Sequence, residues 1–443
     1  MDAVLLARIQ FGLTAGFHFL FPPTTFGLTF IVVILESIYL KTKNEIYKNI
    51  STLLIKILAV VFVMGAATGI VLEFAFGNNW SHYSRIVGDI FGPPLAAEGI
   101  FSFFLESVFI GLLIFGRKRI SPKAYWLSSF FVFFGAHLSG LWIIIANSWM
   151  QTPAGYRIEG GRAILTNFFE AAFNPSTLIR FLHVVLAGWI TGSALTAGIA
   201  AWYLIKKRHM QRARLLLKVS LTIFCTTSIL QLFSGHIHSI QVAETQPEKM
   251  AAFEAIWQTK EGAPLSLFGI PDARKQKIYL SVKIPKLLSI LVHFDPNAKI
   301  TGMNAFPKDE RSPVFIPFTS YHIMILLDLL FILISLIGIY LFLRKKIWDT
   351  RWYHKLLIFA FPLPYLSNEF GWVAAEVGRQ PWAVYRVLRT AEAASPLLPA
   401  GNILFTLTSF SLVYALIAVA GISILLRFVR QGPQDLEAGD KGG

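Results

Sequence analysis

A set of side chains able to hold metal or protons stands inside otherwise apolar stretches: His18, Glu36, Glu73, Glu98, Glu106, His183, His322, Met324, Asp328, Glu369 and Glu376. Ionisable groups in hydrocarbon are costly, so each is a candidate functional residue. Each also has an ordinary reading. A lone histidine near a helix end commonly just hydrogen-bonds, Met324 packs in an apolar span, and Glu98 or Glu106 pairs with another helix. Shared depth argues against the ordinary readings. His18, Glu73, Glu98, His183, Met324 and Glu376 all fall within roughly two turns of the same side of the membrane once the spans are laid out. Heme suits such a set: a His/Met pair makes a low-spin site, and a single protein ligand leaves iron an open position. Copper–heme chemistry needs several clustered histidines, which the ten here do not supply. Glu98 and Glu106 lie eight apart, about 80° and about 12 Å from each other on an ideal helix, with Ser102 between, a spacing suited to a proton relay.

The elements that must position these groups are membrane helices. Of 443 residues, 55% are hydrophobic and only 15% charged, too little polar surface for a soluble protein of this size. Cys225 is the single cysteine, excluding an intramolecular disulfide and Cys-built zinc or iron–sulfur sites. Nine apolar runs are long enough to cross a bilayer, near 11–40, 52–76, 94–116, 124–146, 179–205, 216–239, 319–343, 354–373 and 402–427. They are continuous rather than alternating, which excludes an outer-membrane barrel. The fold class expected is therefore an all-α integral membrane protein of about nine transmembrane helices.

The net charge of +15 reads as membrane topology and not as nucleic-acid binding. Lys and Arg are enriched in the first, third, fifth and seventh connections and the C-terminal tail. By the positive-inside rule the N-terminus lies outside, the C-terminus inside, and the long sixth connection outside. No cleavable signal peptide is expected, since the first run is too long and lacks a basic leader. The chain divides into helices one to six (1–239), an outer loop (240–318), helices seven to nine (319–430) and a mobile cytoplasmic tail (431–443). The loop carries turn signals at Gly262-Ala263-Pro264 and Asp295-Pro296-Asn297 and a helical stretch from Pro247 to Trp257. A loop of this length is usually functional.

Several stretches resemble subunit I of the cytochrome bd-type quinol oxidases, including short-loop and cyanide-insensitive members. They include Phe17-His18-Phe19-Leu20-Phe21, Gly77-Asn78-Asn79-Trp80, Phe104-Leu105-Glu106-Ser107, Ala146-Asn147-Ser148-Trp149-Met150-Gln151 and Leu267-Phe268-Gly269-Ile270-Pro271-Asp272. The most specific run is Gly371-Trp372-Val373-Ala374-Ala375-Glu376-Val377-Gly378-Arg379-Gln380-Pro381-Trp382. The resemblance covers nearly the whole chain in the same order. It implies His183 and Met324 as axial ligands of a low-spin heme b. It implies His18 and Glu376 as ligands of a high-spin heme b and of a heme d or third heme b, without saying which holds which. Glu98 then lies beside the oxygen-reducing centre. Glu106, Ser107, Ser139 and Asn147 line a proton path from the inside. Lys249 and Glu254 bind quinol, and Arg379 and Trp382 sit near the hemes. The implied partners are a subunit II, a small single-helix accessory subunit, membrane quinol, oxygen and lipid, in a bacterial or archaeal cytoplasmic membrane.

The sequence departs from the family pattern in places. His322 stands where an arginine usually precedes the methionine ligand, and Asp328 is unexpected four residues after Met324. The loop approach reads Phe233-Ser234-Gly235-His236-Ile237-His238-Ser239, and Arg389 stands where a proline often occurs. These departures motivate an alternative, a diverged heme-binding redox protein or sensor without oxidase activity. A transporter is the remaining alternative, but it predicts repeats or broken helices at mid-membrane.

Overall fold

The structure is a computed structural model that describes residues 2–396 and 399–433. The expected tail beyond residue 433 lies outside the described residues.

Helix α1 (Ala3–Phe19) meets α2 (Phe21–Thr42) at Leu20. Pro22 and Pro23 lack amides, so the carbonyls of His18 and Phe19 lose their helical donors and the helix divides there. The division leaves His18 at the C-terminal end of α1. Asn44 caps α3 (Glu45–Asn78), its side chain accepting from the Ile46 amide at 3.0 Å. Helix α4 (Ser81–Ala97) passes through a π-helical segment, Glu98–Phe103, into α5 (Phe104–Phe115). Pro93 and Pro94 precede that segment, and their missing amides leave the Asp89 and Ile90 carbonyls without helical donors on the approach to the wider turn. Ser121 caps α6 (Pro122–Gln151).

A hairpin of β1 (Tyr156–Glu159) and β2 (Arg162–Leu165) turns at Gly160-Gly161, both at positive φ, and is followed by α7 (Phe168–Ala172). Helix α8 (Thr177–Ile205) and the long α9 (Met210–Thr245) lead to α10 (Pro247–Phe253). The connection continues through β3 (Lys260–Glu261), β4 (Leu265–Asp272), β5 (Lys277–Ile284), α11 (Leu287–His293) and β6 (Lys299–Ile300). Strands β4 and β5 form an antiparallel hairpin, and β3 pairs with β6. After α12 (Phe315–Leu343) come α13 (Arg351–Ala360), α14 (Leu363–Val377), β7 (Trp382–Val384), β8 (Leu388–Arg389), α15 (Thr390–Ala393) and α16 (Ala400–Gln431).

By length and composition, eight helical stretches among the described residues can cross a membrane. The expected run at 354–373 is not one of them. It is divided into α13 and α14 around Phe361-Pro362, because Pro362 has no amide to continue α13. The first and third runs begin earlier than expected, at Ala3 and Ser81. The hairpins of the connections carried no expectation.

Packing follows residue size. Helix α2 crosses α8 at Gly27, where an added Cβ would come within 2.5 Å of Gly192 and 2.6 Å of the Gly188 carbonyl. Small residues four apart let two membrane helices approach backbone to backbone. Leucines and isoleucines of α2, α3, α8, α9 and α12, with Tyr353 and Leu357 of α13, form the main core. The 246–314 region is a folded layer against the ends of α9 and α12, with α10 and β4 packed on α12.

Candidate functional site

Glu376, near the end of α14, is the centre of a buried polar network. Its carboxylate accepts from Asn147 Nδ2 at 2.9 Å, Gln151 Nε2 at 3.3 Å and Arg379 Nη2 at 2.5 Å. Arg180 Nη1 donates to Asn147 Oδ1 at 3.3 Å. Arg379 Nη1 and Trp382 Nε1 are buried without a partner among the described residues. Both are donors, so the neighbourhood of Glu376 carries unused capacity for an acidic acceptor such as a heme propionate.

Two histidines are held in one tautomer by the same device. The Thr68 hydroxyl donates to the Met64 carbonyl at 2.9 Å, so its oxygen accepts from His18 Nδ1, 3.0 Å away. The Ser234 hydroxyl donates to the Gln231 carbonyl at 3.0 Å, so its oxygen accepts from His183 Nδ1, also 3.0 Å away. In both rings the proton sits on Nδ1 and the Nε2 lone pair is left to face a ligand, the usual support for a metal-binding imidazole. Gln231 Nε2 donates to His183 Nε2 at 3.0 Å, and an iron there would take that amide's place. Met324 presses its sulfur on α14: a Cβ added at Gly371 would lie 2.9 Å from Sδ. A Cβ at Gly69 would lie 3.1 Å from the His18 ring. The His, Met and Glu donors therefore fit heme iron, and the orphan donors near Glu376 fit heme carboxylates. Among the described residues no three His, Cys, Asp or Glu gather as a metal-ion cluster.

The acidic residues of α4 to α6 are arranged differently from an ideal helix. The π-helical segment rotates Glu98 relative to Glu106, so the 80° offset expected from regular α geometry does not hold. Glu98 Oε1 accepts from Ser139 Oγ at 2.7 Å. Glu106 is buried, with Oε1 unpartnered among the described residues. Ser107 donates to the Phe103 carbonyl at 2.6 Å and Asn147 bonds Glu376. Glu73 is exposed on α3. Glu36 pairs with Arg117, which also lies 3.7 Å over the Tyr125 ring, and is a structural ion pair.

Lys249 and Glu254 lie at α10, and both are buried. Lys249 Nζ donates to Gln151 Oε1 at 2.8 Å and to Gln246 Oε1 at 3.2 Å. Burial, with the nearby guanidinium of Arg180, holds its ammonium well below the ordinary lysine value. Glu254 Oε2 accepts from the Ser266 amide at 3.4 Å, while Oε1 has no partner among the described residues. Burial pushes the Glu254 carboxyl up to about 8, against the opposing Ser266 amide.

Sequence reasoning missed Arg180, Gln231 and Ser234. Arg180 had a signal, since it lies three residues before His183 on the same helix face. Gln231 and Ser234 had none, because their role depends on how α9 packs on α8.

A multi-pass helical bundle with partly buried histidines, a methionine and carboxylates whose chemistry fits heme points to the class of heme-binding helical membrane proteins. The family described as Cytochrome bd terminal oxidase subunit I matches residues 6–433, and the chain belongs to it. The chain is 36% identical to Cytochrome bd ubiquinol oxidase subunit 1 of Bacillus subtilis (strain 168), over 98% of this chain and 95% of that protein. It is 34% identical to Cytochrome bd-II ubiquinol oxidase subunit 1 of Escherichia coli (strain K12), over 99% and 98%. The bd oxidase structure from Geobacillus thermodenitrificans superposes with a TM-score of 0.92 at 28% identity, covering 98% of this chain and 99% of that one. The chain is accordingly a subunit of a quinol:oxygen oxidoreductase, a multi-pass protein of the cytoplasmic membrane in a heme-binding family.

Proposed function

We propose that this chain is the subunit that oxidises quinol at the outer side of the membrane and reduces oxygen to water with protons drawn from the cytoplasm. In this reading His183 and Met324 hold a low-spin heme b. His18 and Glu376 hold a high-spin heme b and a heme d or third heme b. When bound, the hemes supply one-electron carriers and an iron open to oxygen. The residues do the rest. Glu254 takes a proton from quinol at its unpartnered Oε1, and Lys249 orients the headgroup in the 240–318 layer. Glu98, bonded to Ser139, and the buried Glu106 hold protons on the way to the oxygen site. Ser107 and Asn147 line the same route. Arg379 and Trp382 receive heme carboxylates. The N-terminus lies outside, with α13 and α14 together making a ninth crossing. Subunit II and a single-helix accessory subunit cover the apolar faces left exposed, α16 above all.

The observation that carries this reading is the link Lys249–Gln151–Glu376, which joins the loop residues to the buried network by two hydrogen bonds. The test is a reduced-minus-oxidised visible spectrum of the protein purified with its partner subunit, with acid extraction of the hemes and oxygen uptake on added quinol. A chlorin band beside b-type bands, with quinol-dependent uptake, supports heme d. Only b-type bands with uptake support a third heme b. Hemes without uptake support the diverged redox protein, and folded protein without heme overturns the proposal.

A further inference from the structure

We propose that His322 is a positioning residue for quinol, acting through the main chain of Ser266 on Glu254. The inference rests on Glu254 being the quinol carboxylate. His322 is buried in α12, its Nε2 2.7 Å from the Ser266 carbonyl and its Nδ1 2.8 Å from the Phe318 carbonyl. Its ring stacks on Phe318, with centroids 4.0 Å apart. Ser266 is buried on β4, and its own amide donates to Glu254 Oε2. Both ring partners of His322 are carbonyls, and a neutral imidazole has one N–H. In this proposal that proton sits on Nε2, at the shorter contact. Ser266 then accepts from His322 with its carbonyl and donates to Glu254 with its N–H.

The need for such a tether is visible in the sheet. The β4–β5 register shifts between Ser266 and Phe268, and an irregular ladder fixes the backbone poorly at that point. The His322 bond supplies the missing constraint from a rigid helix. Its carbonyl target and the Ser266 amide flank a single Cα, so holding one limits the swing of the other. Beside it, Tyr321 stacks on Phe253, with centroids 4.6 Å apart and rings 8° from parallel. Glu254 follows Phe253 directly, so α12 grips the chain on both sides of the carboxylate: at Phe253, and at the strand that donates to it. His322 and Met324 are two residues apart, about 200° around the helix. One therefore faces the loop while the other faces Gly371, and the tether is separable from the methionine.

The experiment is steady-state quinol oxidation by the holoenzyme with its partner subunit, using a water-soluble short-chain quinol, together with the reduced heme spectrum. His322→Phe keeps the ring stack and removes the donor. His322→Gln keeps an amide donor. Loss of the tether is expected to raise KM about tenfold in His322→Phe while kcat and the low-spin heme band stay unchanged. His322→Gln is expected to return KM most of the way to the parent value. An unchanged KM in His322→Phe, or a His322→Gln variant as impaired as His322→Phe, overturns the role. If His322→Phe does not accumulate, His322→Asn, whose amide is too short to reach Ser266, is read in its place. Glu254→Ala is measured in parallel. A lowered kcat/KM there with an unchanged KM in His322→Phe defeats the tether alone, whereas an unchanged kcat/KM in Glu254→Ala defeats the quinol reading on which it rests.

Discussion

Gln151 joins Lys249 to Glu376 through one amide group: its Oε1 accepts from Lys249 Nζ at 2.8 Å, and its Nε2 donates to the Glu376 carboxylate at 3.3 Å. Gln151 and Lys249 are buried and Glu376 is partly buried, and they come from α6, α10 and α14. A loop lysine is thereby coupled to a candidate iron ligand without touching it. Gln151→Leu removes both bonds and leaves Lys249 with Gln246 alone. The expected cost is about 1–3 kcal/mol for the stranded polar groups, read as a lower thermal midpoint of the purified complex, with a raised quinol KM. An unchanged midpoint and KM would show that the bridge carries no energy.

Glu254 sets a pH dependence. Its carboxyl is pushed up to about 8, so the proton-accepting carboxylate is populated above that pH and lost below it. Tyr321 of α12 is a titratable group that interacts with it. Quinol kcat/KM is expected to rise as pH climbs through about 8, and Glu254→Gln is expected to abolish that limb together with most of the activity. Stability moves the other way. Between the ordinary 4.5 and about 8 the folded protein keeps a proton that the unfolded chain has released, so stability falls as pH rises through that window. A Glu254→Gln variant with the parent's pH–stability slope would remove this account.

Gly371 leaves room for the Met324 sulfur, which would lie 2.9 Å from an added Cβ. Gly371→Ala must therefore push the thioether aside. The reduced low-spin heme band is expected to shift or broaden. Gly88→Ala, where an added Cβ meets nothing within 4 Å, is expected to leave it unchanged. His183→Ala and Met324→Leu are expected to abolish the band. Equal spectra for the two glycine variants would place the heme elsewhere.

Gly27 and Gly192 hold α2 against α8 at a distance that no side chain tolerates. Gly27→Val is expected to cost on the order of 3 kcal/mol or more through overpacking, seen as loss of assembled complex from the membrane fraction. Normal yield of Gly27→Val would show that the two helices can separate without penalty.

Ser139 donates to Glu98 at 2.7 Å. Ser139→Ala is expected to slow oxygen uptake about tenfold or more, the effect of losing one hydrogen bond to a carboxylate at about 1.5–3 kcal/mol, with the heme spectrum and quinol KM intact. Uptake at the parent rate would take Ser139 out of the proton route.

The sequence by itself determined the class of protein. Continuous apolar runs with scarce charge leave helices in lipid as the solution, because backbone groups must be satisfied within each segment. It also marked His18, His183, Met324, Glu98 and Glu376, since a polar side chain in an apolar run is visible without any structure. What it could not show depended on side chains meeting across helices. Thr68 and Ser234 set the histidine tautomers from positions 50 and 51 residues away from the rings they hold. Gln151 reaches Lys249 from 98 residues away. The local departures had visible causes whose effects were not: Pro362 divides one run into α13 and α14, and Pro93-Pro94 precede the π-helical turn that reorients Glu98. A proline marks where a ladder opens, but the direction in which the chain then turns is decided by the helices packed around it.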